Sequence, residues 1–598
     1  MALPRSLNGL EQTLDLTSLG LSEPDDQIII ALDFGTTARQ FALYSGIAFA
    51  FKTETKPELI SILDWPGLES EKQPKVPTVL SYDRRDPRQY TWGGQPHKHE
   101  KIEAIKLLLD PDQSKPIYVP ATNTRAEVAK LGKPPVEVAA DYIRSMYQHA
   151  WERIATKVPE SYLENDVRPK FVLTVPAVWS DKAKAATERA AKLGGMFPVT
   201  LIKEPEAAAL YTLHHLQDRG LEEGDALVIC DAGGGTVDLI SYEILRTKPT
   251  LELKELVPPK GGMAGSLQLN KRFEDQVKML VGEDQYYHLR KTRAYQEAVT
   301  FFDRTVKRGF RAGNEDSWYV NFPMADLKDD RSQNLKRNTW ELKSSVVEEI
   351  FRPLIEDIGR MVDDQVNLVQ KKRLAEGHRK GDEVKAIFLV GGFGASEYLK
   401  QSIQGRHPDI QVIQPHDAWS AIVKGAVLSQ LPHETVVKSV VAARHYGVSA
   451  HTQYDEVRDA GQHCWYDASL GHKRVNKMTW YIEKGEDLER DNKIVFPFFR
   501  RLPEGFRDTQ LVFTDALYSD DSARANPYPK EGAVQKNCML TADLRSIDRS
   551  LLQKKIGADG KSYTDVNYDL VVTVKSAQMR FSLEVKGREF GSVNAKYE

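Results

Sequence analysis

Two short segments of this 598-residue chain follow one plan, and that plan restricts the fold more than any other feature. The first reads Ile28-Ile29-Ile30-Ala31-Leu32-Asp33-Phe34-Gly35-Thr36-Thr37 and continues into Phe41-Ala42-Leu43-Tyr44. The second reads Ala226-Leu227-Val228-Ile229-Cys230-Asp231-Ala232-Gly233-Gly234-Gly235-Thr236-Val237-Asp238-Leu239-Ile240. Each is an apolar strand, an aspartate, a Gly/Thr turn and a further strand. Glycine tolerates positive φ and lets backbone N–H groups approach a ligand closely, while threonine adds hydroxyl donors. An aspartate at a strand end beside such a turn can hold water on a hard Mg2+ ion. Two such hairpins facing one another would clamp a nucleoside triphosphate from both sides.

The length admits about three to five domain-sized units with large cores. Hydrophobic residues make up 41% and charged residues 28%, as in ordinary globular proteins. A formal net charge of -3 gives no electrostatic case for nucleic acid or an anionic membrane as the main partner. Cys230, Cys464 and Cys538 have neither metal-site nor disulfide spacing, and Cys230 sits in an apolar strand pattern as a core residue. That usage points to a reducing compartment. No run reaches the roughly 18 apolar residues of a membrane span. The N-terminus lacks the basic start and compact apolar stretch of a signal peptide, so a mobile tail is expected over 1–26 and a cytoplasmic location for the protein.

Strands and helices alternate over 28–216. Phe171 to Val175 reads as a buried strand ended by Pro176, followed by a helix over 181–193 capped by Ser180 or Asp181. Val199 to Ile202 is a short strand, and Glu204-Pro205-Glu206-Ala207-Ala208-Ala209 is a helix start with proline in its first turn. A second αβ region opens at the Asp231 hairpin and includes a helix expected over 340–374, with Val346, Val347, Ile350, Leu354 and Ile358 near helical spacing. Ala386 to Val390 is a strand that turns through Gly391-Gly392-Phe393-Gly394 into a helix, and a last helix spans 418–431, where Gly425 and Ala426 allow close packing. After Pro432 short alternating segments take over (477–482, 494–499, 511–514). A C-terminal hairpin follows, with Leu570, Val572 and Val574 on a face of one strand and Phe581, Leu583 and Val585 on a face of the other.

One Asp-x-Gly-Thr-Thr alone would be a weak signal, since plain hairpins contain such turns. Two copies and a third glycine turn between strand and helix form a far more specific set. The set resembles the actin-like ATPase superfamily of sugar kinases, actin and the seventy-kilodalton heat-shock chaperones. The chaperone branch is the nearest likeness: Val175-Pro176-Ala177, Glu204-Pro205-Glu206-Ala207-Ala208, Asp231 to Asp238 and Leu389-Val390-Gly391-Gly392 follow its order. Gly261-Gly262-Met263-Ala264-Gly265-Ser266 before Leu269-Asn270-Lys271-Arg272-Phe273 is similar to a divergent subgroup abundant in filamentous fungi.

The resemblance implies an α/β fold of two ribonuclease-H-like lobes over 27–432, lobe I at about 27–222 and 400–432 and lobe II at about 223–399. A linker at 433–444 and a β-rich domain at 445–598, loosely like the family's peptide-binding domain and without a helical lid, would follow. It implies slow hydrolysis of ATP to ADP with Mg2+, coupled to a polypeptide client or partner protein, with a cochaperone or nucleotide-exchange factor as possible helpers. Gly35, Thr36 and Thr37 would hold the β- and γ-phosphates. Asp33, Glu204 and Asp231 would position Mg2+ through its water shell. Thr236 would meet the γ-phosphate above a cradle of Gly233, Gly234 and Gly235, and Gly391 and Gly392 would pass under the adenosine. Lys106 is the candidate lysine for orienting the attacking water, and Lys307 and Arg308 would flank the adenine. Phosphoryl transfer needs mainly positioning and cations on the equatorial oxygens, which this set supplies.

Plainer readings stand beside these. Lys106, and the pair Lys307 and Arg308, could be solvated helix residues; Glu204 could serve only the helix dipole; Pro176 could only end a strand, where the family uses it to transmit nucleotide state. The basic run Lys371-Lys372-Arg373 with His378, Arg379 and Lys380 reads as a solvated loop before a strand, and His214-His215 as a helix end. The chain also departs from the family pattern. Ala38 replaces an aromatic, Gly394-Ala395-Ser396 lacks an arginine, Ser266 and Leu267 replace an acidic pair, and only Val436-Val437 and Val440-Val441 stand where a leucine-and-aspartate linker belongs. These departures bear harder on chaperone cycling than on nucleotide binding. A nucleotide-sensing interaction protein without useful hydrolysis is therefore the main alternative. A metabolite kinase is the other, although no additional aspartate motif supplies its catalytic base.

Overall fold

The computed structural model describes residues 28–39, 42–52, 57–97, 99–110, 121–157, 169–216, 220–311, 313, 316–379, 383–415, 417–431, 435–530 and 532–597. The tail expected over 1–26 lies outside these residues, as do His433 of the expected linker and Lys380 of the basic run. The chain divides into two compact units. The first comprises Met1–Val178, Ala186–Glu252 and Lys260–Val436, and the second Trp179–Ala185, Leu253–Pro259 and Val437–Glu598.

The first unit contains two sheets laid out alike. In one, Ile28–Arg39 pairs antiparallel with Ala42–Phe51 on one side and parallel with Lys170–Val175 on the other, which pairs parallel with Val199–Lys203. In the other, Ala226–Ala232 pairs antiparallel with Val237–Arg246 and parallel with Ala386–Val390, which pairs parallel with Gln411–Ile413. Even the short side strands match. Val76–Pro77 joins the first hairpin at Tyr44 and Ser45, and Lys260–Gly262 joins the second at Val237 to Leu239. The sequence duplication is thus a duplication of fold, two mixed α/β sheets of one plan, as expected from the motifs. Near-continuous burial along Phe171–Val175, Ala226–Ala232 and Ala386–Val390 is what parallel strands covered on both faces require.

The two glycine turns differ from one another. In the second hairpin Asp231 faces Asp238 and Ala232 faces Val237, so Gly233 to Thr236 is the hairpin turn, closed by the Gly233 N–H donating to the Thr236 carbonyl at 2.9 Å. In the first, the register moves from Asp33–Gly46 to Thr37–Tyr44, so Phe34, Gly35 and Thr36 bulge opposite Ser45 and the strand continues to Arg39. The Gly/Thr segment there is a bulge within a strand and not the turn expected. Glycine is required because a Cβ at position 35 would overlap the Tyr44 carbonyl.

Other expectations are corrected locally. Thr339–Lys343 is a strand paired with Ser317–Asn321, because Trp340 and Leu342 alternate inward; the long helix begins only at Ser344 and runs to Ala375. Arg373, expected in a solvated loop, is buried at the end of that helix, bonded to Glu243, the Gly224 carbonyl and His378. Thr435–Val441, expected as linker, is a strand paired with Asp487–Glu489, with Val437, Val440 and Val441 buried.

Helix Ala421–Leu428 crosses helix Glu204–Leu216 at Gly425, where a Cβ would overlap the Ala207 carbonyl. Alanine normally improves a helix over glycine by about 1 kcal/mol. Overpacking a close helix crossing costs about 1–3 kcal/mol or more, and backbone cannot yield as a flexible side chain does. Gly425→Ala is therefore expected to destabilise the first unit by about 2 kcal/mol net in urea unfolding; equal or higher stability would show that the two helices can separate freely.

The second unit is antiparallel β throughout its main sheet, ordered Cys464–Asp467, His472–Ile482, His445–Gln453, Val512–Asp520, Gln535–Asp543, Arg588–Tyr597, Met579–Val585, Ser562–Val574 and Lys493–Pro503. The C-terminal hairpin sets Leu570 opposite Leu583 and Val572 opposite Phe581, and these four with Val585 enter one core with Val448, Leu511, Leu517, Cys538 and Val566. Within this unit the Asp181 carboxylate accepts hydrogen bonds from Tyr446 (3.1 Å) and Asn537 (2.9 Å), which ties the 179–185 segment to the β strands. Ser180, as expected, caps the helix it precedes, its Oγ accepting from the Ala183 N–H at 3.2 Å. Among the described residues no helix is long and apolar enough to cross a membrane.

Candidate functional site

The two hairpins of the first unit bring acidic strand ends together. Asp33 ends the regular part of its strand, before the bulge; Asp231 and Asp238 face each other across the second hairpin; Glu204 opens the helix that follows Val199–Lys203. All four are at most 4% exposed. Like charges directly opposite on a sheet are unfavourable, and burial removes the water that would screen them. Burial first, then Glu204 and Asp238, hold the Asp231 carboxyl well above the usual range. Burial also raises Glu204, with Lys106 opposing and Asp33 and Asp238 reinforcing the shift. Asp238 is pushed up to about 6 by burial, although Thr236 and the backbone N–H groups of Ala177 and Val178 favour its charged form.

Two buried lysines answer part of this charge. Lys106, in the single helical turn Ile105–Leu109, is fully buried and ion-paired with Glu204. Lys75 is equally buried, and its Nζ lies 2.6 Å from Asp33 Oδ2; the other Asp33 oxygen accepts the Thr174 hydroxyl at 2.9 Å. Four carboxylates with two ammonium groups remain short of positive charge, a donor set that suits a hydrated divalent cation. Among the described residues no three His, Cys, Asp or Glu side chains group closely enough to ligate an ion directly.

The glycines crowd the same place. Gly391 has φ +82°, and a Cβ on it would overlap an Asp231 carboxylate oxygen; its neighbour Gly392 is exposed. The Gly35 N–H donates to Ser45 Oγ at 3.2 Å, and Ser45 Oγ lies 2.8 Å from Thr78 Oγ1. The Gly233–Thr236 turn is held from behind: Ser266 and Leu267 donate their N–H groups to the Gly233 (3.2 Å) and Gly234 (2.9 Å) carbonyls.

Residues 119–256 match the family model "Hsp70 protein", a span that includes Glu204, Asp231, Thr236 and Asp238. Human heat shock 70 kDa protein 12A is 25% identical over 521 residues, covering 72% of this chain and 73% of that protein. Human heat shock 70 kDa protein 12B is 26% identical over 492 residues, covering 67% and 68%. The chain is a divergent Hsp70-like protein. The chaperone protein DnaK of Stenotrophomonas maltophilia aligns at 26% identity over 302 residues, 49% of this chain and 42% of its own length. Residues 221–352 and 440–598 match two domains of unknown function, DUF8340 and DUF8568.

In this Hsp70-like chain Asp33, Lys106, Glu204, Asp231 and Gly391 come together with the Gly35 bulge and the Gly233–Thr236 turn. Lys106 is not the solvated helix residue of the plainer reading, nor is Glu204 only a partner for a helix dipole. The side chains of Thr36 and Thr37 lie outside the described residues. Lys307 and Arg308 part company. Lys307 is buried, donating to Asp303 (2.8 Å) and to the Ser266 carbonyl (3.0 Å) behind the glycine turn, whereas Arg308 is exposed. Sequence reasoning missed Lys75, Thr174 and the site role of Asp238. The pairing of Asp238 with Asp231 could have been counted across a four-residue turn; Lys75, between Pro74 and Pro77 in an apolar stretch, carried only a faint signal of burial.

Proposed function

We propose that the cleft of the first unit binds Mg-ATP and hydrolyses it slowly, and that nucleotide state biases the affinity of the β-rich unit for a polypeptide client or partner protein. Homology to the Hsp70 family supports an ATP-binding, chaperone-like protein. The observation that carries the finer reading is the convergence of Asp33, Glu204 and Asp231 with Lys75 and Lys106 on two duplicated glycine segments. Mg2+, when bound, would supply charge to the phosphate oxygens. Around it, Asp33, Glu204 and Asp231 would accept hydrogen bonds from its waters. Lys106, held by Glu204, would orient the attacking water and offset charge on the transferring group. Thr236 and Gly233 to Gly235 would take the γ-phosphate from one side and the Gly35 to Thr37 segment the phosphates from the other, with Gly391 and Gly392 under the adenosine. Asp238, bonded to the Ala177 N–H at 3.0 Å, would link this loop to the Val175–Pro176–Ala177 segment. A reducing, cytoplasmic setting belongs to the proposal, in keeping with the free thiols of Cys230, Cys464 and Cys538.

A sensor that binds ATP without useful hydrolysis is the second reading, favoured by the Gly394-Ala395-Ser396 segment, which lacks an arginine in the adenosine loop. Single-turnover hydrolysis of Mg-ATP by the full chain, with and without Asp231→Asn, separates the two. Slow turnover that the substitution abolishes supports the ATPase. Tight binding without turnover in either form supports the sensor, and absence of binding defeats both.

A further inference from the structure

We propose that Lys75 is a tethered counter-cation of the carboxylate cluster, which holds Asp33 in a buried ion pair and competes with an incoming divalent cation for that carboxylate. The proposal rests on the Mg-nucleotide reading of the cleft. The Lys75 and Asp33 side chains are 1% and 2% exposed and lie 2.6 Å apart. A buried charged carboxylate without a partner is strongly unfavourable, so Asp33 in its charged form keeps a cation beside it, and Lys75 is that cation in the ligand-free fold.

Its reach is built into the backbone. The Lys75 stem passes Gly46, where a Cβ would come within 3.2 Å of Lys75 Cγ and 2.7 Å of the Pro74 carbonyl. The next residues, Val76 and Pro77, pair with Ser45 and Tyr44, and Thr78 bonds the same Ser45 hydroxyl that accepts the Gly35 N–H. Lys75 and the first phosphate segment are therefore positioned by one strand. Of the two donors on Asp33, Thr174 is fixed on a central strand, whereas the lysine ammonium rides a stem of four methylenes. The ammonium is the donor that can give way to a metal-bound water. Lys106 does not share this role, because it is paired with Glu204.

An opposite charge at such range changes a carboxylate's affinity for a proton by about 10- to 1000-fold, and a divalent ion feels the same field. Mn2+ binding to the full chain without nucleotide, followed by electron paramagnetic resonance, tests the competition. Lys75→Met is expected to bind Mn2+ at least about tenfold more tightly than the unmodified chain, and Lys75→Arg to match the unmodified chain. Equal, weaker or undetectable Mn2+ binding by folded Lys75→Met would overturn the proposal. Should that variant fail to fold, Asp33→Asn is compared with Asp33→Asn/Lys75→Met. Their Mn2+ affinities are expected to agree within about twofold, and a wider gap would overturn the competition for Asp33. Fluorescent-ADP binding by the unmodified chain is measured alongside. Its absence would defeat the nucleotide reading while leaving the Mn2+ comparison intact.

Discussion

Lys106→Met is expected to slow single-turnover ATP hydrolysis by about 10²–10³-fold, equivalent to about 3–4 kcal/mol of lost transition-state stabilisation. Methionine keeps most of the stem volume in this fully buried position, so packing changes little while the charge is lost. Removing one member of a buried ion pair usually costs about 3–5 kcal/mol of stability. Here the cost should be smaller, about 1–2 kcal/mol, because burial already raises the Glu204 carboxyl and the freed group can take a proton in place of the lysine. Rate and stability should therefore separate: a large fall in hydrolysis, a modest fall in the urea midpoint and retained nucleotide binding. A hydrolysis rate within about threefold of the unmodified chain would reduce Lys106 to a structural partner of Glu204.

Asp231→Asn is expected to do the reverse to stability while also abolishing turnover. Asp231 faces Asp238 across the hairpin with Glu204 nearby, so its charge in the metal-free protein is opposed by burial and by two neighbours. An amide of the same shape removes that opposition and should stabilise the first unit by about 1–3 kcal/mol in EDTA at neutral pH. The pH dependence follows in sign. An unfolded aspartate titrates near about 4. Asp238 titrates at about 6 in the fold, and Glu204 and Asp231 are likewise raised. Between these values the folded state binds more protons than the unfolded state, so stability falls as pH rises through that window. Metal-free protein should gain stability as pH drops from 7 towards 5, and the gain should shrink in Asp231→Asn. Thermal unfolding across this range checks both. A profile that rises with pH over the same interval would mean that these carboxylates are fully compensated by Lys75 and Lys106.

Much of the site was legible along the chain because hairpin motifs are local. An aspartate at a strand end and glycines at a close approach are dictated by neighbours a few residues away, as Gly35 against Tyr44 and Gly233 against Thr236 illustrate. The helix starts at Ser180–Asp181 and Glu204–Pro205 were legible for the same reason. Trp340 was misassigned because an apolar residue just ahead of a helical pattern extends that pattern on paper; only its pairing with Val320 distinguishes strand from helix. Arg373 was misassigned because a basic residue reads as solvated until Glu243, 130 positions away, is found beside it.

The sequence by itself determined that two Asp–Gly hairpins exist, that each starts a βαβ-type lobe, and that a β-rich region follows. Each of those statements depends on side-chain period and on glycine's conformational freedom, which act over a few residues. The tertiary structure alone decided how charge is distributed in the cleft: that Lys75 answers Asp33, that Lys106 answers Glu204, that Lys307 turns inward while Arg308 stays in solvent, and that Gly391 abuts Asp231. Burial and Coulomb interactions depend on distance in space, and residues 33, 75, 106, 204 and 231 become neighbours only when the duplicated sheets have formed and the buried lysines meet their carboxylate partners.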